Sequence, residues 1–280
     1  MFTALNAWTF SPEIPLDEQF AATASAGFAG IELVLSDDGP LRPDTPLHEC
    51  TALAQNAADR GVRIAGLATV DFWQINYASP DEADRRRAVE LTLRMLDRAA
   101  ALGAGAILVV PAVVGMAADA RMRVGYADAL QRVFDALFTL RHEAEARSVT
   151  IALENVWNRF LLSPVEAADL IDRVNSPFVG FYLDVGNVLA FGYPEDWITT
   201  LGGRIARVHI KDYDLSRPGM AGFCPLGEGS VDWAAVVGAL RSVGYTGPLI
   251  YEGDGEPAEI CRRLNNILAD RPVLAERDAS

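Results

Sequence analysis

Eight short apolar runs alternate with longer amphipathic segments along almost the whole chain. The runs are rich in Val, Ile, Leu, Phe and Tyr, as is typical of strands that are buried on both faces. We predict strands at residues 3–7, 30–35, 63–69, 106–111, 150–155, 179–184, 207–211 and 249–252. Each run precedes a helix-like segment, and eight successive β-then-α units predict a closed parallel barrel. The predicted fold class is therefore α/β, as a (β/α)8 or TIM barrel.

The helical segments carry recognisable end signals. Predicted helices cover residues 16–26, 47–60, 81–101, 121–147, 163–174, 194–201, 231–243 and 257–269. Gly61, Gly103 and Gly244 follow three of them as C-caps, and Ser163 with Pro164 begins another as N-cap and first helical residue. Because no linker rich in Pro, Ser or Gly divides the chain, we predict one barrel domain at residues 1–275 and a loose tail at 276–280.

An open doubly wound sheet is the alternative architecture. Such a sheet, when it binds a dinucleotide, carries a GxGxxG motif after its first strand. No GxGxxG follows residues 3–7. The barrel is therefore favoured.

The bulk composition limits the partners. The 280 residues are 50% hydrophobic and 22% charged, which is enough for a large core, and the net charge of −14 argues against binding nucleic acid. Neither a signal peptide nor an apolar run of about 18 residues occurs, so we expect no membrane span. Three cysteines without a CxxC motif favour a reducing, cytoplasmic location over a disulfide framework or structural zinc site.

Four polar side chains end four successive predicted strands. Glu154, Asp184, His209 and Glu252 close the last four apolar runs, and strand ends at the C-terminal face of a barrel form its active site. Three carboxylates and one imidazole can share one divalent cation. Taken singly, Glu154 could instead form a salt bridge with Arg159 or Lys211, and His209 could be a core histidine. The other two histidines, His48 and His142, fall on helix-like surface segments.

The chain resembles the xylose-isomerase-like sugar isomerase/epimerase superfamily. Five segments carry this resemblance and occur in family order: ALENVWNRFLLSP (152–164), GFYLDVGN (180–187), RVHIKDYD (207–214), LGEGSVDW (226–233) and YTGPLIYEGD (245–254). Each motif alone is weak, whereas five in order are a strong signal. The N-terminal half of the chain matches only in its architecture.

The resemblance implies a metal-dependent enzyme. By motif, the metal ligands are Glu154, Asp184, His209 and Glu252, and the cofactor is one divalent ion, Mn²⁺ or Mg²⁺ by ligand hardness, with Co²⁺ and Zn²⁺ as alternatives. Glu154 and Glu252 are also implied as the catalytic acid/base pair. They would remove and return a proton next to a carbonyl through a metal-stabilised enediolate, on a sugar or sugar-phosphate substrate.

Further residues are candidates for substrate binding. Lys211 shares a strand face with His209, and Asn187 follows Asp184 where many relatives carry a histidine. Three further candidates are Trp8 at the end of the first predicted strand, Glu32 within the second, and Arg217 in the long loop at 212–226. For each, a structural alternative stays open: a turn at Asn187, a salt bridge at the barrel mouth for Glu32, and an ion pair with a ligand carboxylate for Lys211.

Aromatic residues and one glycine-rich segment are weaker candidates. Phe72, Trp73, Trp157 and Phe160 could wall the pocket or pack beneath loops. The segment LGEGSVDW could hold an anion at a helix start, or serve only as a turn and N-cap. The loop at 212–226 could act as a lid.

Departures from the family pattern leave the reaction open. Free-ketose 3-epimerases carry a second glutamate after NRF, where this chain has Leu161 and Leu162, and they use the histidine that Asn187 replaces. Within the superfamily, an inosose-dehydratase-like lyase or a hydroxypyruvate isomerase is an alternative. A non-catalytic sugar-binding barrel is an alternative of another class. An endonuclease-IV-like nuclease is disfavoured by three histidines and the acidic charge. A homo-oligomer is an expectation from the resemblance alone.

Overall fold

Eight parallel strands close into a barrel in the computed structural model, which describes residues 1–115 and 123–273. Ten strands are numbered in chain order: eight form the barrel, and β8 and β9 form a separate short hairpin. They are β1 (Phe2–Asn6), β2 (Gly30–Val34), β3 (Arg63–Ala68), β4 (Ala106–Val109), β5 (Thr150–Glu154), β6 (Val179–Asp184), β7 (Ile205–Ile210), β8 (Asp212–Tyr213), β9 (Phe223–Cys224) and β10 (Pro248–Tyr251). The barrel runs in the order β1, β10, β7, β6, β5, β4, β3, β2 and closes from β2 to β1.

The predicted TIM barrel is therefore confirmed, and the predicted strand boundaries differ from the observed ones by no more than two residues. The predicted tail at 276–280 lies outside the described residues. The antiparallel hairpin of β8 and β9 was not predicted, because two-residue strands are too short for a periodic pattern.

Helices cover the outside of the barrel. They are α1 (Leu16–Ser25), α2 (Leu47–Asp59), α3 (Glu82–Leu102), α4 (Tyr126–Arg147), α5 (Pro164–Val174), α6 (Val185–Val188), α7 (Pro194–Leu201), α8 (Trp233–Ser242) and α9 (Pro257–Leu268). Gly103 ends α3 with a φ of +69°, as its predicted C-cap role requires. The part of the chain that the structure describes contains no helix long and apolar enough to cross a bilayer.

Two predictions about helices need correction. The helix predicted at 121–147 begins only at Tyr126, while Arg121 and Met122 fall outside the described residues. The short helix α6, directly after β6, was not predicted. Its N-cap is Asp184, whose side chain accepts a hydrogen bond from the Asn187 amide. A single helical turn carries too little sequence periodicity to be recognised.

Two β-bulges interrupt the barrel at the same depth. Ile31 and Glu32 of β2 face Ile64 and Gly66 of β3, so Ala65 is an extra residue. In the same way, Phe181 and Tyr182 of β6 face Ile205 and Arg207 of β7, so Ala206 is extra. A bulge leaves a residue out of the ladder and redirects the side chains beside it. Both bulges therefore affect the two residues that follow them, Glu32 and Tyr182.

Arg207 satisfies the carbonyl groups at both bulges. Its Nε donates to the Ala65 carbonyl at 2.6 Å, its Nη1 to that of Ala206 at 2.7 Å, and its Nη2 to that of Ala104 at 2.9 Å. One planar guanidinium thus donates hydrogen bonds to carbonyl groups on β3, on β7 and just before β4. Buried carbonyl groups need such partners, because an unpaired one is costly.

We predict that Arg207→Met lowers the free energy of unfolding by about 2–4 kcal/mol, since three acceptors lose a charged donor. The measurement is urea unfolding followed by circular dichroism. The matched control is Arg204→Met, which removes a solvent-exposed ion pair with Asp172 at 2.6 Å and is expected to cost less than about 1 kcal/mol. Equal losses in the two variants would contradict the role assigned to Arg207.

Candidate active site

The four strand-end residues meet at one point at the C-terminal mouth of the barrel. One ligand atom from each of Glu154, Asp184, His209 and Glu252 lies within 4.8 Å of the others. The Nδ1 atom of His209 is 3.0 Å from Glu154 Oε1, 2.8 Å from Glu252 Oε2 and 3.9 Å from Asp184 Oδ2. The barrel brings them together because β5, β6, β7 and β10 are consecutive neighbours.

The opposite side of the His209 ring faces Glu32. Glu32 Oε2 lies 2.7 Å from His209 Nε2 and accepts a hydrogen bond from Asn6 Nδ2 at 2.5 Å. The Tyr182 hydroxyl donates to the other oxygen of Glu32. Burial lowers the pKa of His209, but the carboxylates of Glu32, Glu252 and Glu154 outweigh burial and hold that pKa well above its usual value. Both ring nitrogens therefore face carboxylate oxygens, Nε2 toward Glu32 and Nδ1 toward the three acids at the mouth.

Glu32 lies too deep for the substrate contact considered from the sequence. Its side chain is fully buried below the imidazole, and Asn6, Tyr182 and His209 occupy its oxygens. The alternative from the sequence was a salt bridge at the barrel mouth, and the structure instead places Glu32 below the mouth with Asn6, Tyr182 and His209 as partners. Its Oε2 contacts His209 Nε2 at 2.7 Å.

Lys211 lies directly above His209 on the same face of the chain. Its Nζ is 3.1 Å from Asp184 Oδ2 and 2.9 Å from Glu252 Oε2. Burial lowers the pKa of this ammonium, but the attraction of Asp184 and Glu252 outweighs burial, so the pKa is raised. Lys211 is therefore a charged partner of two ligand carboxylates, which is one of the two roles considered from the sequence.

The two glutamates of the cluster have opposite electrostatic environments. Burial, with a contribution from neighbouring Glu252 and Asp184, raises the pKa of Glu154 to about 7, although His209 opposes the rise. Burial acts the same way on Glu252, but Lys211 and His209 outweigh it and lower the pKa of Glu252 to about 2. Two carboxylates in one site can thus differ in protonation.

The cluster suits a divalent cation. Four carboxylates, those of Glu32, Glu154, Asp184 and Glu252, surround one ammonium and one imidazole, so negative charge is in excess. The Nδ1 lone pair and the facing oxygens at 2.8 and 3.0 Å would repel one another unless a proton or a cation lay between them.

Two buried oxygens also support a cation. Among the described residues, Asp184 Oδ2 and Glu252 Oε2 accept no hydrogen bond of acceptable geometry, although Lys211 lies within ion-pair distance of both. Buried polar atoms without a partner are rare and mark a missing ion or water. A set of three carboxylates and one imidazole fits Mn²⁺, Mg²⁺, Co²⁺ or Zn²⁺.

A cavity with two lobes opens beside this cluster. The inner lobe, about 330 Å³, contains Glu154 and Glu252 and is walled mainly by apolar and aromatic side chains, among them Trp73 and Trp157. The outer lobe, about 400 Å³, extends along β9 and the loop after β10. Both lobes share a common wall, formed by Trp8, Lys211, Met220, Phe223 and Glu252.

The structure separates the predicted substrate-binding residues. Trp8, Asn187 and Lys211 line the inner lobe. The side-chain Nδ2 of Asn187 donates to the Asn155 backbone carbonyl at 3.0 Å, and this bond holds the side chain in one orientation. Arg217 is exposed at the tip of the hairpin and lines neither lobe, so its location does not support the predicted substrate contact.

The aromatic candidates divide between pocket and core. Trp73 and Trp157 line the inner lobe. Phe72 and Phe160 are buried in the core, where Phe72 packs on Tyr77 and Phe160 packs on Tyr126. The sequence could not show which of the four aromatic side chains face the pocket, because the strand-to-helix loops that carry them have no regular pattern of apolar residues.

The glycine-rich segment LGEGSVDW binds an internal carboxylate. The Asp212 side chain accepts hydrogen bonds from the amides of Gly227 at 2.7 Å and Gly229 at 3.2 Å, and from Trp233 Nε1 at 3.2 Å. The backbone amides of the glycine-rich segment therefore donate within the protein and not to a bound anion. The segment serves as a turn, and Asp232 is the N-cap of α8.

The predicted lid region is anchored to the barrel. Phe223 of β9 stacks on Trp157 with ring centroids 5.1 Å apart, and it meets Tyr213 of β8 edge-on at 5.3 Å. The Asp214 amide donates to the Gly222 carbonyl at 2.8 Å across the hairpin. The base of the hairpin thus forms a fixed wall of the cavity.

Two supporting residues escaped sequence reasoning. The Asn155 side chain bridges β5 to β6, since Oδ1 accepts from the Asp184 amide at 2.9 Å and Nδ2 donates to its carbonyl at 3.0 Å. Tyr182 holds Glu32. Tyr182 precedes Asp184 by two residues and so shares its face, a spacing that could have indicated it. No comparable signal marks Asn155.

Comparisons with known proteins agree with this geometry. The sequence profile of the xylose isomerase-like TIM barrel family matches residues 20–274. The chain is 27% identical over 246 residues to the L-ribulose-5-phosphate 3-epimerase UlaE of Salmonella paratyphi C (strain RKS4594), covering 86% of this chain and 83% of that protein. This relative is named as an epimerase, and epimerases are isomerase-class enzymes.

Two solved structures have the same fold. A D-psicose 3-epimerase crystallised in the presence of D-fructose superposes with a TM-score of 0.75 at 19% identity, over 99% of this chain and 93% of that one. The IOLI protein with a bound zinc atom superposes with a TM-score of 0.78 at 19% identity, over 96% and 99% of the two chains. At this identity, the likeness shows the fold alone.

We predict that Glu32→Gln weakens binding of a divalent ion about 10–100-fold, because the ring of His209 loses the carboxylate that fixes its tautomer and orientation. Isothermal titration with Mn²⁺ measures this. Glu18→Gln, an exposed change of the same kind on α1, is the matched control and is expected to bind as the unaltered protein does. Affinity of Glu32→Gln within about twofold of the control would contradict the orienting role.

Proposed function

The chain belongs to the xylose isomerase-like TIM barrel family, and on that premise we propose that it is a divalent-metal-dependent sugar isomerase or epimerase. The observation that carries this proposal is the convergence of Glu154, Asp184, His209 and Glu252 within 4.8 Å beside a cavity. Function is determined by the site and not by the fold, and this site contains both a ligand set and two glutamates that a bound molecule would contact.

The named relatives support the same class of reaction. The curated relative acts, by its name, as an L-ribulose-5-phosphate 3-epimerase, and one structural neighbour is a D-psicose 3-epimerase. Another structural neighbour, the IOLI protein, contains a bound zinc atom. For this chain, Mn²⁺ or Mg²⁺ is the proposed ion because the ligands are mainly oxygen atoms.

In the proposed reaction, Glu154 and Glu252 act as the acid/base pair. One glutamate takes the proton from a carbon next to the carbonyl of the sugar, and the electron pair of that C–H bond moves toward the carbonyl oxygen. The other glutamate returns a proton. Return to the opposite face of the same carbon inverts it, whereas return to the neighbouring carbon moves the carbonyl.

Asp184 and His209 are proposed as ligands that stay fixed during the reaction. Asn155 holds the backbone of Asp184 by two hydrogen bonds, and Glu32 holds the ring of His209. A divalent ion bound by the four residues would supply positive charge where the substrate oxygens become negative. Because its supports are rigid, the cluster is organised before substrate arrives.

Asn187, Lys211 and Trp8 are proposed to contact the substrate in the inner lobe. Asn187 can accept or donate a hydrogen bond to a hydroxyl group but cannot titrate near neutral pH. Lys211 holds Glu252 and Asp184 in position while its apolar stem lines the lobe. Trp8 offers an aromatic wall. The three free thiols are compatible with the proposed reducing, cytoplasmic location.

We predict that Glu154→Gln and Glu252→Gln each slow exchange of the substrate C–H proton with solvent deuterium by about 10²–10⁴-fold. Metal-loaded protein is incubated in D₂O with ketoses, ketose phosphates, hydroxypyruvate and inososes, and NMR follows the exchanging carbon. Glu18→Gln is the control and is expected to exchange at the unaltered rate. Metal content is measured for every variant, since an amide oxygen can still act as a ligand.

The same experiment distinguishes the alternatives. Loss of a hydroxyl group after exchange would identify an inosose-dehydratase-like lyase, and exchange with hydroxypyruvate alone would identify that isomerase. A tightly bound metal without exchange on any compound would overturn the proposal in favour of a non-catalytic sugar-binding barrel.

We predict that Mn²⁺ stabilises the protein by about 2.7 kcal/mol when its free concentration is 100 times its dissociation constant. The reason is that the folded protein holds the ligands together and the unfolded chain does not. Urea unfolding with and without a chelator measures the difference. Asp184→Asn is expected to lose the effect, and a metal-induced gain that persists in this variant would contradict the assigned ligand set.

A further inference from the structure

The cavity is larger than the proposed chemistry requires. The inner lobe, about 330 Å³, already contains both proposed acid/base glutamates and reaches the size of known ligand pockets. The outer lobe adds about 400 Å³ and adjoins the inner one, since Trp8, Lys211 and Met220 are among the residues that line both. A molecule whose reacting carbon lies in the inner lobe can therefore extend into the outer one.

The outer lobe has aromatic and apolar walls. Beyond the shared wall it is lined by Cys224 and Pro225 on the hairpin side and by Tyr251 on the β10 side. Flat aromatic faces with few polar groups are typical of pockets that hold a ring. Two acids line this lobe and not the inner one. Asp212 is buried, whereas Asp254 is exposed and can accept hydrogen bonds from hydroxyl groups.

The wall of the outer lobe is formed before any ligand binds. The Tyr251 hydroxyl donates to the Asp254 carbonyl at 2.8 Å, and Thr9 Oγ1 donates to the Gly253 carbonyl at 3.0 Å. These bonds hold the loop after β10. On the opposite side, Phe223 is fixed by its stacking on Trp157. Binding to a preformed wall loses little conformational entropy.

The charge of the lining opposes a phosphate group. Among the described residues, Lys211 is the single cation that lines either lobe, and its ammonium already lies 3.1 Å from Asp184 and 2.9 Å from Glu252. The amides of the nearby glycine-rich segment, which could otherwise bind an anion, donate to Asp212. A phosphate needs free donors and positive charge, and this lining offers carboxylates.

We propose that the outer lobe is a subsite for a second, uncharged ring, so that the substrate is a keto sugar bearing a neutral glycosyl or aryl substituent remote from its reacting carbon. This inference rests on the proposed function, because it takes the inner lobe as the site of proton transfer. It assigns Met220 and Phe223 to substrate selection, since both side chains line the two lobes where these adjoin.

A matched set of ligands tests the proposal. D-Fructose, D-fructose 6-phosphate and isomaltulose share the same keto sugar and differ at O6, which carries hydrogen, phosphate or a glucosyl ring. Leucrose and lactulose place the second ring on O5 or O4. Metal-loaded protein is titrated with each compound by calorimetry, and the rate of C–H exchange in D₂O is measured in parallel. At least one keto disaccharide is expected to bind at least about tenfold more tightly than fructose, and fructose 6-phosphate no more tightly.

Variants locate the preference. Met220→Ala truncates a side chain that is 74% exposed, so it leaves the core intact, and it is expected to reduce the disaccharide preference to near that of fructose. Phe223→Ala is a second variant, checked for folding by circular dichroism. The control is Leu215→Ala on the same hairpin, whose side chain is 55% exposed and lines neither lobe. It is expected to keep the preference.

The outcomes separate this proposal from the proposed function. Tighter binding of the phosphate, no preference for any disaccharide, or a preference that survives Met220→Ala and Phe223→Ala would overturn the subsite, even if fructose exchanges its proton. A disaccharide preference that depends on Met220, without exchange on any compound, would support the subsite and overturn the proposed reaction.

Discussion

The site depends on the contacts between the His209 imidazole and the buried carboxylates on either side of it. The ring lies between Glu32 on one side and Glu154 with Glu252 on the other, at 2.7 to 3.0 Å, inside a closed barrel. A buried polar ring needs a partner for each nitrogen, and buried carboxylates need positive charge or donors. Because each group supplies what its neighbour lacks, the cluster is stable only as a whole, and a divalent ion would complete its charge balance.

The barrel supports this cluster through one face of β7. Arg207 and His209 alternate along it and Lys211 directly follows the strand, so the three side chains lie on one face of the chain at three depths. Arg207 occupies the carbonyl groups at two bulges, His209 meets the buried acids, and Lys211 pairs with the acids at the mouth. Glu32 and Tyr182, which lie opposite the two bulges, both contact the His209 ring. Fold and site are therefore connected by the same three side chains.

The loops around the mouth give the site its shape. The hairpin of β8 and β9 is braced by Trp157 against the loop after β5, and Asp212 ties it to the segment before α8. The hairpin thereby divides the cavity into an inner lobe beside the acids and an outer lobe with aromatic walls. The proposed chemistry lies at the strand ends and the proposed selection of substrate lies at this hairpin, the arrangement that is usual in barrel enzymes.

The sequence by itself determined the eight-unit barrel and the four residues of the cluster, because buried strands have a strong apolar pattern and a polar residue at their end stands out from it. Only the tertiary structure decided that Glu32 lies behind His209, that Arg217 lies outside the cavity, and that Asp212 occupies the glycine-rich segment. These contacts join residues far apart in the chain through bulges and loops. No local periodicity encodes such contacts, since they depend on how strands and loops pack in three dimensions.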